Sequence, residues 1–364
     1  MILKLPFYAK AALMCVGLYS FITMLYIAQA IIVPLIFGTV IAILLHPLVR
    51  FFETKKVNRI LAICITLLLS IIIIAALGIF MYSQLRLFSD SWPIFVEKFS
   101  HLIDQTIRWI PGYFNISAEG VNAWIAETKI ELLDGSSSFI GQTLLSVGNG
   151  LVVIFVIPVY VFLLLLYKPL LLDFIHQLFG KERQSNVTII VSQTKSVIQH
   201  YLVGLVIETV LVAVLNSVGL LILGIDYAIL IGIVGALLNL IPYIGGLVAV
   251  AIPMMIALVT KDSPWFALYV MGVYYFVQLL DNNYIVPKIV ASKVRINALV
   301  SIIVVLAGGA LWGVSGMFLS IPLIAIVKVV CDHIEPLKPI GFLLGDTMPK
   351  FVLFKLTHLK KNKD

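Results

Sequence analysis

Charged residues are scarce in this sequence, and their scarcity excludes a soluble globular protein. Only 12% of the 364 residues are charged and 61% are hydrophobic, whereas a soluble domain carries about 25% charged residues. The sequence therefore predicts an all-α polytopic integral membrane protein, because apolar segments cross a bilayer as helices that satisfy their own backbone hydrogen bonds. The formal charge of +7 comes from basic residues in short loops and in the tail, so it indicates topology and not nucleic-acid binding.

Cysteine and the common catalytic motifs are also scarce or missing. Cys15, Cys64 and Cys331 all lie in or beside apolar runs, which excludes a disulfide framework and a Cys-x-x-Cys metal site. The sequence contains no His-Glu-x-x-His zinc motif and no glycine-rich phosphate loop. We therefore expect no cofactor and no enzymatic activity, and ATP-driven transport would require a separate subunit.

The N-terminal apolar run extends from Ala11 to Val33 and contains Ala28-Gln-Ala30, a triplet that resembles a signal-peptide cleavage site. The run is too long for a signal sequence, whose apolar core has about 7 to 15 residues. It is predicted to be a retained first span that ends before Pro34. Leu35 to Leu45 then forms a second, shorter apolar segment.

Charge and hydropathy divide the chain into six regions. Four basic residues and one acidic residue lie between positions 50 and 59, which places this loop and the N-terminus in the cytoplasm, and the basic tail places the C-terminus there too. The acidic segment 83–142 is predicted to be external. Its two amphipathic helices, after Pro93 and around Trp124, either cover a pore mouth or only pack against the bundle. The regions are three N-terminal spans (1–82), the external segment (83–142), a fourth span (143–167), cytoplasmic amphipathic helices (168–200), a transport core (201–333) and a basic cytoplasmic tail (334–364).

The fifth predicted span, Tyr201 to Leu223, carries two polar side chains in its interior. Glu208 and Asn216 fall on one side of the helix together with Gly204 and Gly219. A stripe of this kind faces protein or water and not lipid. Glu208 is therefore a candidate ion-binding group, or else a neutral carboxyl that is hydrogen-bonded to a neighbouring helix.

Two apolar stretches of the transport core are too long for one span and are broken near their centres. Tyr227 to Val259 is interrupted by Asn239-Leu-Ile-Pro242-Tyr-Ile-Gly245-Gly246, and Ile296 to Val330 by the run from Gly308 to Gly316. Backbone freed by Pro and Gly at membrane depth is tolerated only inside protein or beside a cavity. Because the flanking loops of each stretch are predicted on one side of the membrane, each stretch is predicted to be a hairpin.

A dense polar block follows the apolar segment Trp265 to Leu280. Helical spacing places Tyr274, Gln278, Asp281 and Ile285 on one face. An ionisable group at membrane depth is costly and normally faces the bundle interior or a water-filled cavity, so this block is a candidate functional site. The alternative is that it forms only the polar end of a span, which Pro287 terminates.

Several of these residues occur in motifs of a known family. The motifs are Pro242-Tyr-Ile-Gly245-Gly246, Asp281-Asn282 followed by Pro287-Lys288, Gly308-Gly309 with Gly313-x-x-Gly316, and Ile321-Pro322-Leu. With them, the sequence resembles the autoinducer-2 exporter superfamily, also called PerM-like permeases. The resemblance extends over nearly the whole chain and is most specific from about Asn239 to Pro322.

This resemblance implies a permease of about eight membrane segments, two of them the broken hairpin-like helices, in a bacterial cytoplasmic membrane. It also implies a homo-oligomer, such as a pentamer. The family name refers to export of the small polar molecule autoinducer-2 (AI-2), and other members are linked to sodium/proton exchange.

Two transport chemistries use different residues of the candidate site. An uncharged polar solute needs hydrogen-bonding groups at a shallow cavity, whereas cation/proton exchange needs a carboxylate, for which Asp281 and Glu208 are the candidates. Lys288 is a candidate partner for Asp281, and Lys328 is either an intramembrane counter-charge or a snorkelling side chain. The predicted substrate- or ion-binding set is Glu208, Asn239, Pro242, Gly245, Gly246, Gln278, Asp281, Asn282, Asn283, Pro287, Lys288, Gly308, Gly309, Gly313 and Gly316.

Two further hypotheses belong to other classes. Gly313-Val-Ser315-Gly316 matches the short motif around the nucleophile of rhomboid intramembrane proteases, but that chemistry needs a histidine base beside the serine, and no histidine is plainly inside a span. A scaffold without transport activity is favoured only if the two hairpins pack shut.

Overall fold

The protein is described by a computed structural model that covers residues 6–108, 155–179, 184–241, 244–261, 263–290 and 296–346. Every regular element in these residues is helical, which confirms the predicted all-α polytopic fold. The elements are α1 Phe7–Ile27, α2 Gln29–Thr54, α3 Arg59–Arg108, α4 Phe155–Leu166, α5 Lys168–Phe179, α6 Gln184–Ile222, α7 Ala228–Asn239, α8 Ile244–Thr260, α9 Trp265–Leu280, a π-helical segment Asp281–Val290, α10 Ala298–His333, a 3-10 turn Glu335–Leu337 and α11 Lys338–Leu344.

Five of these helices are long and apolar enough to cross a membrane, namely α1, α2, the first part of α3, α6 and α10. The count rises to six if α4 and α5, which are bent by 64° relative to each other, form one broken span. The bend lies at Tyr167, where the predicted fourth span ends and the amphipathic α5 begins. The 64° angle means that α5 does not continue the direction of α4.

Two helix boundaries differ from the sequence prediction. The break between the first two spans lies at Ala28, and Pro34 lies inside α2; proline is tolerated in a membrane helix where its surroundings satisfy the freed backbone groups. Likewise, α3 continues past Tyr82 to Arg108 as one helix, so Pro93 lies within it and does not begin a new one. The second predicted external helix, around Trp124, lies outside the described residues.

The first predicted hairpin is formed by α7 and α8. The chain turns between Asn239 and Ile244, and the two helices approach so closely at the turn that a Cβ atom on Gly245 would collide with the carbonyl oxygen of Leu238. The hairpin packs against α6, where Gly232 lies directly over the backbone of Ser217. We refer to α7 and α8 as hairpin 1.

The second predicted hairpin is α10 itself, which is broken at Trp312 (φ −134°, ψ 19°) and Gly313 (φ 62°, ψ −144°). Beyond this break the chain returns along its own first half. The Ser320 hydroxyl donates to the carbonyl oxygen of Val304, sixteen residues earlier, at 2.8 Å, and a Cβ atom on Gly316 would collide with the carbonyl oxygen of Gly308. We refer to α10 as hairpin 2. Both broken hairpins are therefore confirmed.

The long helix α6 is the central element of the described bundle. It contacts α2, α5, α7, α9, α10 and the π-helical segment. On one side, Leu220 joins Ile231 of hairpin 1 and Val270 of α9 in a buried apolar cluster. On another side, Ile198 and Leu202 pack with Leu319 of hairpin 2. Glu208 and Asn216 of α6 are buried in this bundle, so the predicted polar stripe faces protein.

Candidate functional site

The polar block after α9 is wound as a π-helix from Asp281 to Val290. Pro287 lies within this segment, and in a regular α-helix its ring would clash with the carbonyl group four residues earlier. A wider π turn relieves such crowding, and short π-helical segments recur at functional sites. The winding changes at Asp281, so this residue marks the junction between a regular apolar helix and an irregular polar one.

Asp281 is the most deeply buried ionisable group of the block, with 2% of its surface exposed. Its Oδ2 atom accepts a hydrogen bond from Nδ2 of Asn239, at the C-terminal end of α7, at 3.1 Å. Its Oδ1 atom is buried and has no hydrogen-bond partner among the described residues. The carboxylate therefore ties the turn of hairpin 1 to the polar block and keeps one acceptor available.

Asp281 borders a small cavity between α6, hairpin 1 and α9. The cavity has a volume of about 10 Å³, close to the space that one water molecule needs. It is lined by Val212 and Asn216 of α6, Gly235 and Asn239 of α7, Gly246 and Ala249 of α8, Tyr274, Val277 and Gln278 of α9, and Asp281. We refer to it as the polar cavity.

Two more buried polar atoms at the polar cavity have no partner among the described residues. They are Oδ1 of Asn216, a residue that is 2% exposed, and the hydroxyl of Tyr274, a residue that is 5% exposed. Leaving a buried polar group unsatisfied costs about 1–3 kcal/mol, so three such atoms around one space, Asp281 Oδ1 included, make this cavity a candidate binding site. A bound water, a cation or a polar group of a solute would each satisfy them.

Glycine keeps this cavity open. A Cβ atom on Gly246 would lie 3.6 Å from Oε1 of Gln278 and 3.7 Å from Oδ1 of Asn239, which is ordinary contact but would occupy the space in front of both amide oxygens. Opposite, a Cβ atom on Gly235 would lie 3.1 Å from the Tyr274 hydroxyl. Any larger residue at either position would fill the cavity from the hairpin side.

Glu208 lies near the polar cavity but does not line it. It is 8% exposed and precedes Val212 and Asn216 at intervals of four residues, so the three share a face of α6. Its carboxylate is close enough to Asp281 to interact with it electrostatically. The two candidate carboxylates are therefore neighbours inside one bundle.

Four other predicted residues of the polar block point away from the polar cavity. Asn282, Asn283, Pro287 and Lys288 are exposed. Asn282 accepts a hydrogen bond from Gln278 at 3.3 Å, and Asn283 donates to the carbonyl oxygen of Leu279 at 2.8 Å. Lys288 lies 5.7 Å from the centre of the Tyr284 ring, and the structure shows no ion pair between it and Asp281 among the described residues.

The remaining predicted residues serve the hairpins and not the polar cavity. Gly308, Gly309 and Gly316 pack against other parts of hairpin 2, and Gly313 adopts a positive φ at its break. Gly245 is packed at the turn of hairpin 1, and Pro242 lies outside the described residues. Lys328, for which a counter-charge and a snorkelling side chain were the alternatives, forms an ion pair with Asp332 at 2.5 Å, one helical turn away.

The sequence comparisons identify the family to which these residues belong. The sequence profile of the AI-2E family transporter matches residues 16–335. The chain belongs to the AI-2E transporter family. It is 26% identical to the AI-2 transport protein TqsA of Escherichia coli K12 over 332 residues, which cover 88% of this chain and 90% of TqsA. It is 24% identical to YueF of Bacillus subtilis 168, provisionally named a transport protein, over 81% of this chain and 82% of YueF.

Family membership decides between the broad classes of function. The chain is a multi-pass membrane transport protein and not an enzyme. The rhomboid-like alternative is therefore wrong. The geometry agrees with this conclusion. Hydrogen bonds join four histidine rings to residues other than Ser315, namely those of His46, His176, His200 and His333.

Proposed function

We propose that this transporter exports a small polar solute of the AI-2 class across a bacterial cytoplasmic membrane, with both termini in the cytoplasm. The observation that carries the proposal is the polar cavity, where three buried polar atoms have no hydrogen-bond partner among the described residues. The hydroxyl groups of a polar solute are hydrogen-bond donors and acceptors that suit Asn216, Tyr274 and Asp281. The name of TqsA, an AI-2 transport protein, supports the choice of solute.

Solute passage requires hairpin 1 to move. The polar cavity is about 10 Å³, whereas a site that encloses a small organic molecule needs about 300 Å³ or more. The described conformation is therefore a closed one. The hydrogen bond from Asn239 to Asp281 is the polar contact that holds the turn of hairpin 1 against the polar block, so breaking it opens the cavity in this mechanism.

Sodium/proton exchange is a second candidate, favoured by the charge of Asp281. No basic side chain forms an ion pair with this carboxylate in the part of the chain that the structure describes. A buried carboxylate without a counter-charge binds a proton or a cation, and carboxylates of this kind serve as proton relays in membrane carriers. Glu208, which shares a face of α6 with Asn216, supplies a second protonation site.

The proposal includes a homo-oligomer, such as a pentamer. The window that makes α1 a candidate span contains no buried residue, and α1 contacts only α2 and hairpin 2 among the described elements. An apolar helix with so little covered surface packs against lipid or against a second copy. Cross-linking of the purified protein in lipid nanodiscs distinguishes these two cases.

Transport in proteoliposomes tests the two candidate functions separately. Vesicles that contain the protein and are loaded with AI-2 or with a pH-sensitive dye are compared with equally loaded vesicles without protein. Each comparison is made with and without a sodium gradient. Protein-dependent release of AI-2 that needs no sodium supports solute export. Sodium-dependent proton flux without AI-2 release supports exchange, and the absence of both fluxes contradicts both proposals.

Gly246→Ala is expected to slow transport about fivefold without unfolding the protein. The added methyl group makes ordinary contacts with Gln278 and Asn239 but displaces whatever binds their amide oxygens, and one lost hydrogen bond corresponds to about 1 kcal/mol. Gly272→Ala on α9 is the matched control, because a Cβ atom there meets nothing within 4 Å. Equal transport rates for the two variants would show that the polar cavity is not on the transport path.

A further inference from the structure

A second pair of cavities lies where α2, the α4–α5 bend and the first turns of α6 meet. One is a basic pocket of about 220 Å³, which is lined by His46, Glu53, Arg59 and Lys168. The other is an apolar groove of about 400 Å³. His46 and Lys168 line both cavities, so the two cavities are adjacent. Neither shares a residue with the polar cavity.

The basic pocket contains more positive charge than its single carboxylate balances. Arg59 lies 4.0 Å from Glu53 and donates to the carbonyl oxygen of Leu165 at 2.6 Å. Lys195 and Arg59 both add positive potential at Lys168. Within the residues that the structure describes, neither Lys168 nor Lys195 forms an ion pair. This excess of positive charge attracts an anion.

His46 fixes the ammonium group of Lys168 at the junction of the two cavities. The Lys168 Nζ and His46 Nε2 atoms are 2.6 Å apart. An ammonium group has three donors and no acceptor, so Lys168 donates and the imidazole nitrogen accepts. Two N–H donors of Lys168 remain for an anion, and the contact with His46 holds them in one place.

The apolar groove lies beside the Lys168 ammonium group, and its surface is almost entirely apolar. Its walls come from several helices and include Ala42, Ile43, Leu171, Leu172, Ile175 and Ile190. Its volume of about 400 Å³ falls in the range of pockets that hold small ligands, roughly 300–1,000 Å³. Lys195 lies on its rim together with Lys168. A cationic end and an apolar body match a ligand with an anionic head and a hydrocarbon tail.

The position of α5 places the junction at the membrane surface. This helix leaves α4 at 64°, and Leu170, Phe174 and Leu178 on it are exposed. A helix with exposed apolar residues that turns away from the bundle direction lies in the interface between lipid headgroups and hydrocarbon. The basic pocket is then level with the lipid headgroups.

We propose that the basic pocket and the apolar groove together bind one anionic glycerophospholipid. Its phosphate contacts Lys168 and Lys195, and one acyl chain fills the groove. Basic pockets between membrane helices bind anionic headgroups in this way. A zwitterionic lipid is disfavoured, because its own ammonium group would face the same cations. The site is separate from the polar cavity, and the proposal does not depend on the transported solute.

Native mass spectrometry of the full-length protein in neutral detergent tests this proposal. Phosphatidylglycerol and phosphatidylcholine with identical acyl chains are added in turn, and the retained lipid is counted. We expect preferential retention of phosphatidylglycerol. We expect the double variant Lys168→Gln, Lys195→Gln to weaken its retention roughly 25-fold, if each lysine contributes about fivefold near a membrane surface. Lys338→Gln, which removes an exposed lysine paired with Glu335, is expected to leave retention unchanged.

Two further comparisons separate the contribution of the lipid headgroup to binding from that of the acyl chain. Thr194→Phe fills the groove without changing charge, so it is expected to weaken lipid retention but not binding of glycerol phosphate. Equal retention of both lipids, or full displacement of phosphatidylglycerol by equimolar glycerol phosphate, overturns the proposal. Thermal unfolding of each variant verifies its folding, and Lys195→Gln alone replaces the double variant if that variant does not fold.

Discussion

Sodium-dependent proton flux through the Asp281→Asn variant is expected to be at least about 100-fold slower than through the natural protein. The estimate follows from the typical contribution of a group that exchanges a proton, which is about 10²–10⁴-fold. Asn keeps the shape of Asp and retains an oxygen that accepts the hydrogen bond from Asn239. The substitution therefore removes the charge and the proton-binding site while leaving the turn of hairpin 1 attached to the polar block.

The measurement is the initial rate of solute or proton flux in proteoliposomes, normalised to the amount of folded protein. Asp332→Asn is the control, because Asp332 is a partly exposed carboxylate that pairs with Lys328 outside the polar cavity. We expect the Asp332→Asn variant to lose one negative charge and to transport at an unchanged rate. Glu208→Gln is expected to have a smaller effect than Asp281→Asn, since Glu208 does not line the polar cavity. An unchanged rate for Asp281→Asn would remove this carboxylate from the mechanism of either candidate function.

The hairpins could be predicted from sequence because their cause is local. Pro and Gly disturb the backbone where they occur, so the turn after Asn239 and the break at Gly313 coincide with interruptions of the apolar pattern. The common face of Tyr274, Gln278 and Asp281 was also predictable, because helical spacing holds up to the point where the π-helix begins.

Other features of the candidate site depend on tertiary packing. Asn216 and Asn239 are 23 positions apart and meet only because hairpin 1 folds back onto α6. The sequence also does not show that the Tyr274 hydroxyl has no hydrogen-bond partner among the described residues. A tyrosine in an apolar segment resembles an ordinary core residue. A buried asparagine near the centre of a predicted span was the one available signal for Asn216.

Asn282, Asn283 and Lys288 were candidates because of their polar side chains and not because of their spacing. α-Helical spacing already places Asn283 opposite the face of Asp281, and all three residues are exposed. The helix boundaries show a similar limit. The sequence placed a helix end before Pro34 and a helix start after Pro93, but both prolines lie inside helices.

Gly316→Ala is expected to prevent hairpin 2 from closing and to lower the free energy of unfolding by roughly 1–3 kcal/mol, the usual range for an overpacked core position. A Cβ atom on Gly316 would collide with the carbonyl oxygen of Gly308 and lie 3.0 Å from the Cβ of Trp312. Backbone cannot rotate aside as a side chain can. The two halves of hairpin 2 must therefore separate. This separation also lengthens the hydrogen bond from Ser320 to Val304.

Thermal unfolding in detergent, together with the yield of monodisperse protein, measures this effect. Gly313→Ala separates the two ways in which glycine acts here, because Gly313 has open space around it but a φ of 62°. It is expected to cost about 1–3 kcal/mol from this sparsely populated backbone conformation alone. Gly78→Ala in α3, where a Cβ atom meets nothing within 4 Å, is expected to leave stability equal or slightly higher. If Gly316→Ala were as stable as Gly78→Ala, the two halves of α10 would not be in backbone contact, and α10 would have to cross the membrane as one continuous helix.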